Sequence, residues 1–230
     1  MESAASIAAN LQRVTAAIRA AETNHGRERG SVSLLAVSKT KPVETIIAAA
    51  DAGQIAFGEN YVQEAQKKIE TLSEHNLEWH FIGPIQSNKT RHIAALFAWA
   101  HSVDRVSIAE RLSRQRPAGL PDLNVCIQIN ISGEETKAGA APAQIKEILD
   151  LSAGLPGLKL RGLMVIPAPT SDIVVQRRIF AEARRIFDSC ADAYALDTLS
   201  MGMSGDFESA IAEGATIVRL GTAIFGAREP

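Results

Sequence analysis

The feature that most constrains the fold is an eightfold alternation of short apolar runs with amphipathic helical stretches. The apolar runs fall at 32–37, 55–57, 79–82, 98–103, 124–129, 159–165, 198–201 and 216–220. Helical patterns lie between them at 42–52, 61–72, 88–96, 107–114, 142–151, 172–194 and 206–213, so each strand except the last is followed by a substantial helix. Pro42 and Pro142 stand where a first helical turn tolerates a missing N–H, and Gly53 and Gly214 where a closing residue needs positive φ. Continuous runs such as Leu34-Leu35-Ala36-Val37 and Ile217-Val218 suit parallel strands covered on both faces. Such a chain fits an open doubly wound sheet or a closed barrel, and eight units favour the α/β (β/α)8 TIM barrel. Ile7, Leu11, Val14 and Ile18 recur at helical spacing, which predicts an extra N-terminal helix over 1–22, placed to cover the barrel bottom. No Pro/Gly/Ser-rich linker divides the 230 residues, so the expectation is one domain over 1–230.

Composition excludes several function classes. Hydrophobic residues make up 46% of the chain and charged residues 22%, which is ordinary globular usage and too apolar for disorder. The net charge is −2 without any block of like charge, and aromatics are only 5%, so no nucleic-acid partner is expected. No stretch approaches the ~20 apolar residues of a membrane span, and the N-terminus lacks the basic start and apolar core of a signal peptide. Cys126 and Cys190 lack CxxC spacing and read as buried thiols of a reducing compartment, so a cytoplasmic location is expected. The five histidines show no metal-ligand spacing, and no metal site is expected.

In a barrel of this kind, chemistry sits at the C-terminal ends of the strands. Lys39 directly follows the first apolar run. A lysine desolvated in the barrel mouth is a Schiff-base nucleophile; a solvated lysine at a strand end, like Lys41, is the alternative. Two small-residue loops, Ser200-Met201-Gly202-Met203-Ser204-Gly205 and Arg219-Leu220-Gly221-Thr222, follow the seventh and eighth runs. Loops there commonly hold a phosphate, although glycine and serine at turns can be merely permissive backbone. His80, inside an apolar run, reads as an interior histidine with satisfied partners. The arginines at 177, 178, 184 and 185 read as a solvated helix face, and Lys41, Lys89, Arg91 and Lys137 as solvated loop charges. Neither GxGxxG, nor a P-loop, nor a GxSxG elbow is present.

A Schiff-base lysine after the first strand and a phosphate cup after the last two suit pyridoxal 5′-phosphate. The blocks Leu35-Ala36-Val37-Ser38-Lys39-Thr40-Lys41-Pro42, Phe57-Gly58-Glu59-Asn60-Tyr61 and Trp79-His80-Phe81-Ile82-Gly83 resemble the pyridoxal 5′-phosphate homeostasis protein family. So do Gln86-Ser87-Asn88-Lys89, Arg161-Gly162-Leu163-Met164, the loop ending at Ser204, and Val218-Arg219-Leu220-Gly221-Thr222-Ala223-Ile224-Phe225-Gly226. The resemblance implies a barrel like the N-terminal domain of alanine racemase, the fold type III of pyridoxal phosphate proteins. It implies that Lys39 holds the cofactor as a Schiff base and that Ser204, Gly221 and Thr222 hold its phosphate, with Ser200 and Met201 nearby. It places Arg219 at the pyridine nitrogen and Asn60 beside the phenolic side of the ring.

A permanent cation at the ring nitrogen weakens the ring as an electron sink. A racemase also needs a second base opposite the lysine, in alanine racemases a tyrosine from a separate C-terminal domain. This chain ends at Pro230 and its only tyrosines are Tyr61 and Tyr194. The expectation is therefore a non-enzymatic, monomeric protein that holds pyridoxal phosphate, exchanges it with free amino acids and delivers it to apoenzymes. A small racemase or decarboxylase using the same cofactor is the alternative, and an aldolase-like barrel using Lys39 without cofactor a third reading.

Overall fold

The computed structural model describes residues 3–131 and 138–227. The strands are β1 (Ser33–Val37), β2 (Ala56–Glu59), β3 (Glu78–Phe81) and β4 (Trp99–Val103), then β5 (Leu123–Ile129), β6 (Leu158–Val165), β7 (Thr198–Ser200) and β8 (Ile217–Leu220). They pair in parallel in chain order and close into a barrel, with β1 bonded to both β2 and β8. The helices are α1 (Ala4–Asn24), α2 (Val43–Asp51), α3 (Val62–Thr71), α4 (Thr90–Leu96) and α5 (Val106–Gln115). They continue with α6 (Ile145–Ser152), α7 (Ile173–Asp188), α8 (Ala191–Tyr194), α9 (Phe207–Ala212) and α10 (Thr222–Phe225). The (β/α)8 barrel with an extra N-terminal helix is thus present. Gly53 and Gly214 both close helices at φ +96°, as their positions predicted.

Three expectations need correction. The helical pattern over 172–194 is two helices, because Ser189 and Cys190 turn their side chains onto carbonyls of the preceding turn. Ser189 Oγ donates to Ile186 O at 2.7 Å, and Cys190 Sγ reaches the same carbonyl and that of Phe187. Pro142 opens a short 3-10 turn (Pro142–Gln144) ahead of α6 rather than the α-helix itself. Finally, α1 does not cover the bottom of the barrel. Its buried stripe of Ile7, Leu11, Val14 and Ile18 packs in the outer layer, against α2, α9 and α10.

Apolar residues from the outward faces of the strands and from the helices form one continuous shell. The inside of the barrel is different. Its apolar contents fall into two small groups, Leu35 with Ile82 and Ile217, and Trp99 with Cys126 and Met164. Buried polar side chains of β3, β4, β7 and β8, among them His80, His101, Ser200 and Arg219, accompany them.

The connection from α1 to β1 hangs on one carboxylate. Glu22 is fully buried and accepts from the Gly30 N–H at 2.9 Å, the Val32 N–H at 2.7 Å and Arg19 at 2.5 Å. Burial pushes its pKa up, but the three donors outweigh this and hold it below the ordinary value. The unfolded chain therefore takes up the proton first as pH falls. The carboxylate's stabilisation is present above the ordinary glutamate pKa of ~4.3 and is lost as pH drops through the lowered folded value. Glu22→Gln is expected to cost about 1–3 kcal/mol at pH 7, from weakened hydrogen bonds to buried donors. Urea unfolding should show that gap shrinking toward pH 3.

Candidate functional site

At the C-terminal ends of the strands a cavity of about 320 Å³ opens, lined by Lys39, Asn60, Ser204, Arg219, Gly221 and Thr222. Val37, Ile82, Ile166 and Met203 supply its apolar wall. Six of the eight residues expected to form the site therefore share one cavity. The other two lie outside the lining: Ser200 and Met201 are fully buried, Ser200 in contact with the Arg219 side chain and Met201 in the outer apolar shell.

The turn that carries Lys39 is gripped on both sides. Lys41 N–H donates to Ser38 O at 3.0 Å, and Ser38 N–H to Gly58 O at 3.0 Å. Thr40 sits at φ +62°, a region β-branched residues avoid, at a typical cost of about 1–3 kcal/mol. Its N–H is held by Glu64 Oε1 at 2.6 Å. Behind the turn lies a buried ion cluster. Lys68 Nζ donates to Ser38 O and Glu59 Oε1, both at 2.8 Å, and to Glu64 Oε1 at 2.5 Å, while Ser38 Oγ donates to Glu59 Oε1 at 2.6 Å. Burial raises the Glu59 carboxyl above its usual range despite Lys68 and Ser38, which pull it down. Lys68 lies on the buried face of α3, in step with Val62 and Ala65.

Asn60 directly follows β2, and its side-chain oxygen is buried with no hydrogen-bond partner. The backbone of Gly83 passes so close that a Cβ there would stand 2.2 Å from Asn60 O, so only glycine fits. Arg219 is 4% exposed, and burial pulls its guanidinium down to about 10. It donates to Ser200 Oγ at 2.8 Å and Val165 O at 2.9 Å. Beyond Ser200 the polar contacts continue through the barrel. His101 Nδ1 lies 2.9 Å from Ser200 Oγ, His101 Nε2 lies 2.9 Å from His80 Nδ1, and His80 Nε2 lies 2.7 Å from Glu78 Oε1.

His80 is thus the satisfied interior histidine its position suggested. Lys41 is not the solvated charge expected of it: its ammonium donates to the carbonyls of Phe225, Gly226 and Ala227 at 3.0, 3.0 and 2.7 Å. Arg91 is exposed, Lys89 is half-buried at the start of α4, and Lys137 lies outside the described residues. On the solvated face, Arg177, Arg184 and Arg185 pair with Glu213, Asp188 and Glu182. Both cysteines are free and buried, and burial pushes the Cys126 thiol up to about 12. Among the described residues no cluster of ligating side chains could hold a metal, and no helix is long and apolar enough to cross a membrane. Sequence reasoning missed Lys68, His101 and Glu78. The available signal was a lysine on an apolar helix stripe and polar residues within otherwise apolar strands.

Replacing Lys68 by Met leaves Glu59 buried without its cation, an arrangement that typically costs about 3–5 kcal/mol. Urea unfolding of Lys68→Met is expected to show a loss of that size, and adding Glu59→Gln should recover part of it, since a neutral amide needs no cation.

A family model described as the alanine racemase N-terminal domain matches residues 6–229. The pyridoxal phosphate homeostasis protein of Pseudomonas aeruginosa is 55% identical over 223 residues, covering 97% of this chain and 96% of that protein. That of Vibrio cholerae is 53% identical over 229 residues and covers 97% of each. The solved structure of PipY from Synechococcus elongatus PCC7942 with PLP bound is 37% identical, with a TM-score of 0.83 over 96% of this chain and 100% of that one. With its barrel closed and its strand ends gathered around one cavity, this chain belongs to the alanine racemase N-terminal domain family and, within it, to the pyridoxal phosphate homeostasis proteins.

Proposed function

We propose that this protein binds pyridoxal 5′-phosphate in the cavity at the strand ends and serves its homeostasis in the cell, with little catalysis of its own. The observation that carries the reading is the convergence of the Lys39 amine, one buried guanidinium, Asn60 and two small-residue loops on a single cavity. A volume of about 320 Å³ is at the small end of ligand pockets and suits a compact cofactor. The names of the curated relatives, and the PLP recorded in PipY, support the same ligand.

When bound, pyridoxal phosphate supplies an aldehyde that condenses reversibly with amines. Lys39 would provide the protein's amine, presented from a turn fixed on both flanks. Ser204 and Thr222 would offer hydroxyls to the phosphate, and the backbone at Gly221 comes close because a Cβ there would already meet Val37 O at 3.0 Å. Arg219 would face the ring nitrogen and oppose its protonation, which lowers the ring's capacity to stabilise a carbanion. Asn60 would sit beside the phenolic oxygen, to which its side-chain N–H can donate.

The cavity also supports the non-catalytic part of the reading. Among its described lining residues the titratable side chains are Lys39, Lys41 and Arg219, and Lys41 is engaged by three carbonyls. A proton transfer on the face opposite Lys39 needs a further acid or base. Tyr194 does not serve, since its hydroxyl donates to Asp150 on the exposed outer surface. We read the chain as one barrel domain and, since a closed barrel has no free strand edge, as a monomer. Two free thiols suit a reducing cytoplasm, and PLP-dependent apoenzymes and free amino acids are the partners for cofactor exchange.

Added pyridoxal phosphate is expected to give a visible absorbance near the violet that Lys39→Ala abolishes. An unchanged spectrum in that variant overturns the assignment of Lys39. In heavy water, a panel of amino acids should exchange no α-proton faster with the loaded protein than with free cofactor. Rapid exchange for any one of them restores the racemase reading.

A further inference from the structure

Arg219 raises a question that the cavity alone does not answer. A buried guanidinium costs several kcal/mol to desolvate unless it is paired, yet among the described residues no carboxylate touches it. The acid that acts on it from farther away, Asp206, accepts from the Met203 N–H at 2.5 Å. Arg219 instead heads the line of hydrogen bonds that crosses the barrel through Ser200, His101 and His80 to Glu78.

The direction of donation along that line is set by the carboxylate at its far end. A guanidinium can only donate, so Ser200 Oγ accepts from Arg219. The Glu78 carboxylate can only accept, so His80 Nε2 carries the hydrogen and His80 Nδ1 is left as an acceptor. His101 must then donate from Nε2, and its bare Nδ1 takes the Ser200 O–H. Two neutral imidazoles and one hydroxyl satisfy all four bonds in one sense only. Burial favours this state, since it pulls both histidines below their ordinary pKa, while Glu78 is held low, chiefly by its bond to His80. His80 also stacks on the Trp99 ring at 5.2 Å with only 6° between the planes, which fixes its tilt.

We infer that Ser200, His101, His80 and Glu78 form a relay of fixed polarity that positions the Arg219 guanidinium in the cavity, with Glu78 setting its direction from the opposite end of the barrel. These are positioning residues: every acceptor lone pair in the line points toward Arg219, and Glu78 supplies the only charge that dictates this. The inference rests on the reading of the cavity as the pyridoxal phosphate site, where Arg219 meets the ring.

Two measurements test it. In the cofactor-free protein, nitrogen-15 spectra of the histidine rings are expected to show both His80 and His101 protonated at Nε2 alone. Glu78→Gln, whose amide can donate as well as accept, should give a mixture of tautomers. A ring protonated at Nδ1 in the unsubstituted protein overturns the relay. In the loaded protein, Glu78→Ala and His101→Leu are expected to weaken cofactor binding by about three- to tenfold, the lower part of the range of coupling within one network. Both should also move the visible maximum, while the exposed Glu182→Gln leaves it in place. Unsubstituted affinity and spectrum in Glu78→Ala overturn the inference even if His101→Leu fails to fold, because Glu78 is partly exposed and far from the cavity. If the unsubstituted protein takes up no cofactor, the site reading fails instead, and the tautomers still decide the relay.

Discussion

The structure depends first on the seam where β8 meets β1. Leu35 stands opposite Arg219 and Ala36 opposite Leu220, which brings the ends of the first and last strands side by side. Lys39, just past β1, and Gly221 and Thr222, just past β8, share a cavity wall only because this pairing forms. The seam joins opposite ends of the sequence, so it has the largest loop-closure entropy to overcome of any pairing in the barrel. The segment before β1 is built to offset that. Helix α1 packs over α2, α9 and α10, which flank the seam, and Asn10 donates to Ile224 O at 2.9 Å. Glu22 pins the approach to β1, while Arg27 donates to the carbonyls of Ile211 and Ala215 ahead of β8. The extra helix is thus a strap across the closure, and its placement in the outer layer rather than under the barrel follows from that role.

With the seam held from outside, the interior can carry polar groups that a packed core would not tolerate. Two small apolar groups inside the barrel leave room for the line from Arg219 to Glu78. Burying those groups contributes less than an all-apolar filling would, since each desolvated polar atom needs a partner to break even. The continuous apolar shell between strands and helices carries the stability instead. This division separates what holds the barrel from what serves its mouth.

The sequence exposed the architecture well, for a physical reason. Strands buried on both faces and helices with one apolar stripe leave different periods in the chain, and most strand bounds fall within a residue or two of those read from the pattern. Lys39 stood out because a charge ends an apolar run. The same double burial hid the interior. In a continuous apolar strand nothing marks which residues point inward, so His101 gave no sign of meeting Ser200, 99 positions away. Lys68 was illegible because a lone lysine on a helix is usually solvated, and its burial depends on Glu59 and Ser38 arriving from neighbouring turns. Lys41 misled for a similar reason, as its acceptors lie 184 to 186 residues further along the chain. Family resemblance supplied the proposed roles that spacing could not, chiefly those of Asn60 and Arg219.

The two networks approach the cavity from different strands and leave little in it to move. One fixes the turn bearing the amine, through Lys68, Glu59 and Glu64; the other fixes the cation, through Ser200 and the histidines. A site organised in advance binds without a large ordering cost, and so can both hold and release a small ligand. Catalysis asks for something else, namely interactions that strengthen only as the transition state forms. On the proposed reading, a guanidinium at the ring nitrogen acts against charge developing in the ring, and the same rigidity gives no means of relaxing that opposition. On that reading, the arrangement that makes the cavity a good holder of the cofactor is the one that makes it a poor place to use it.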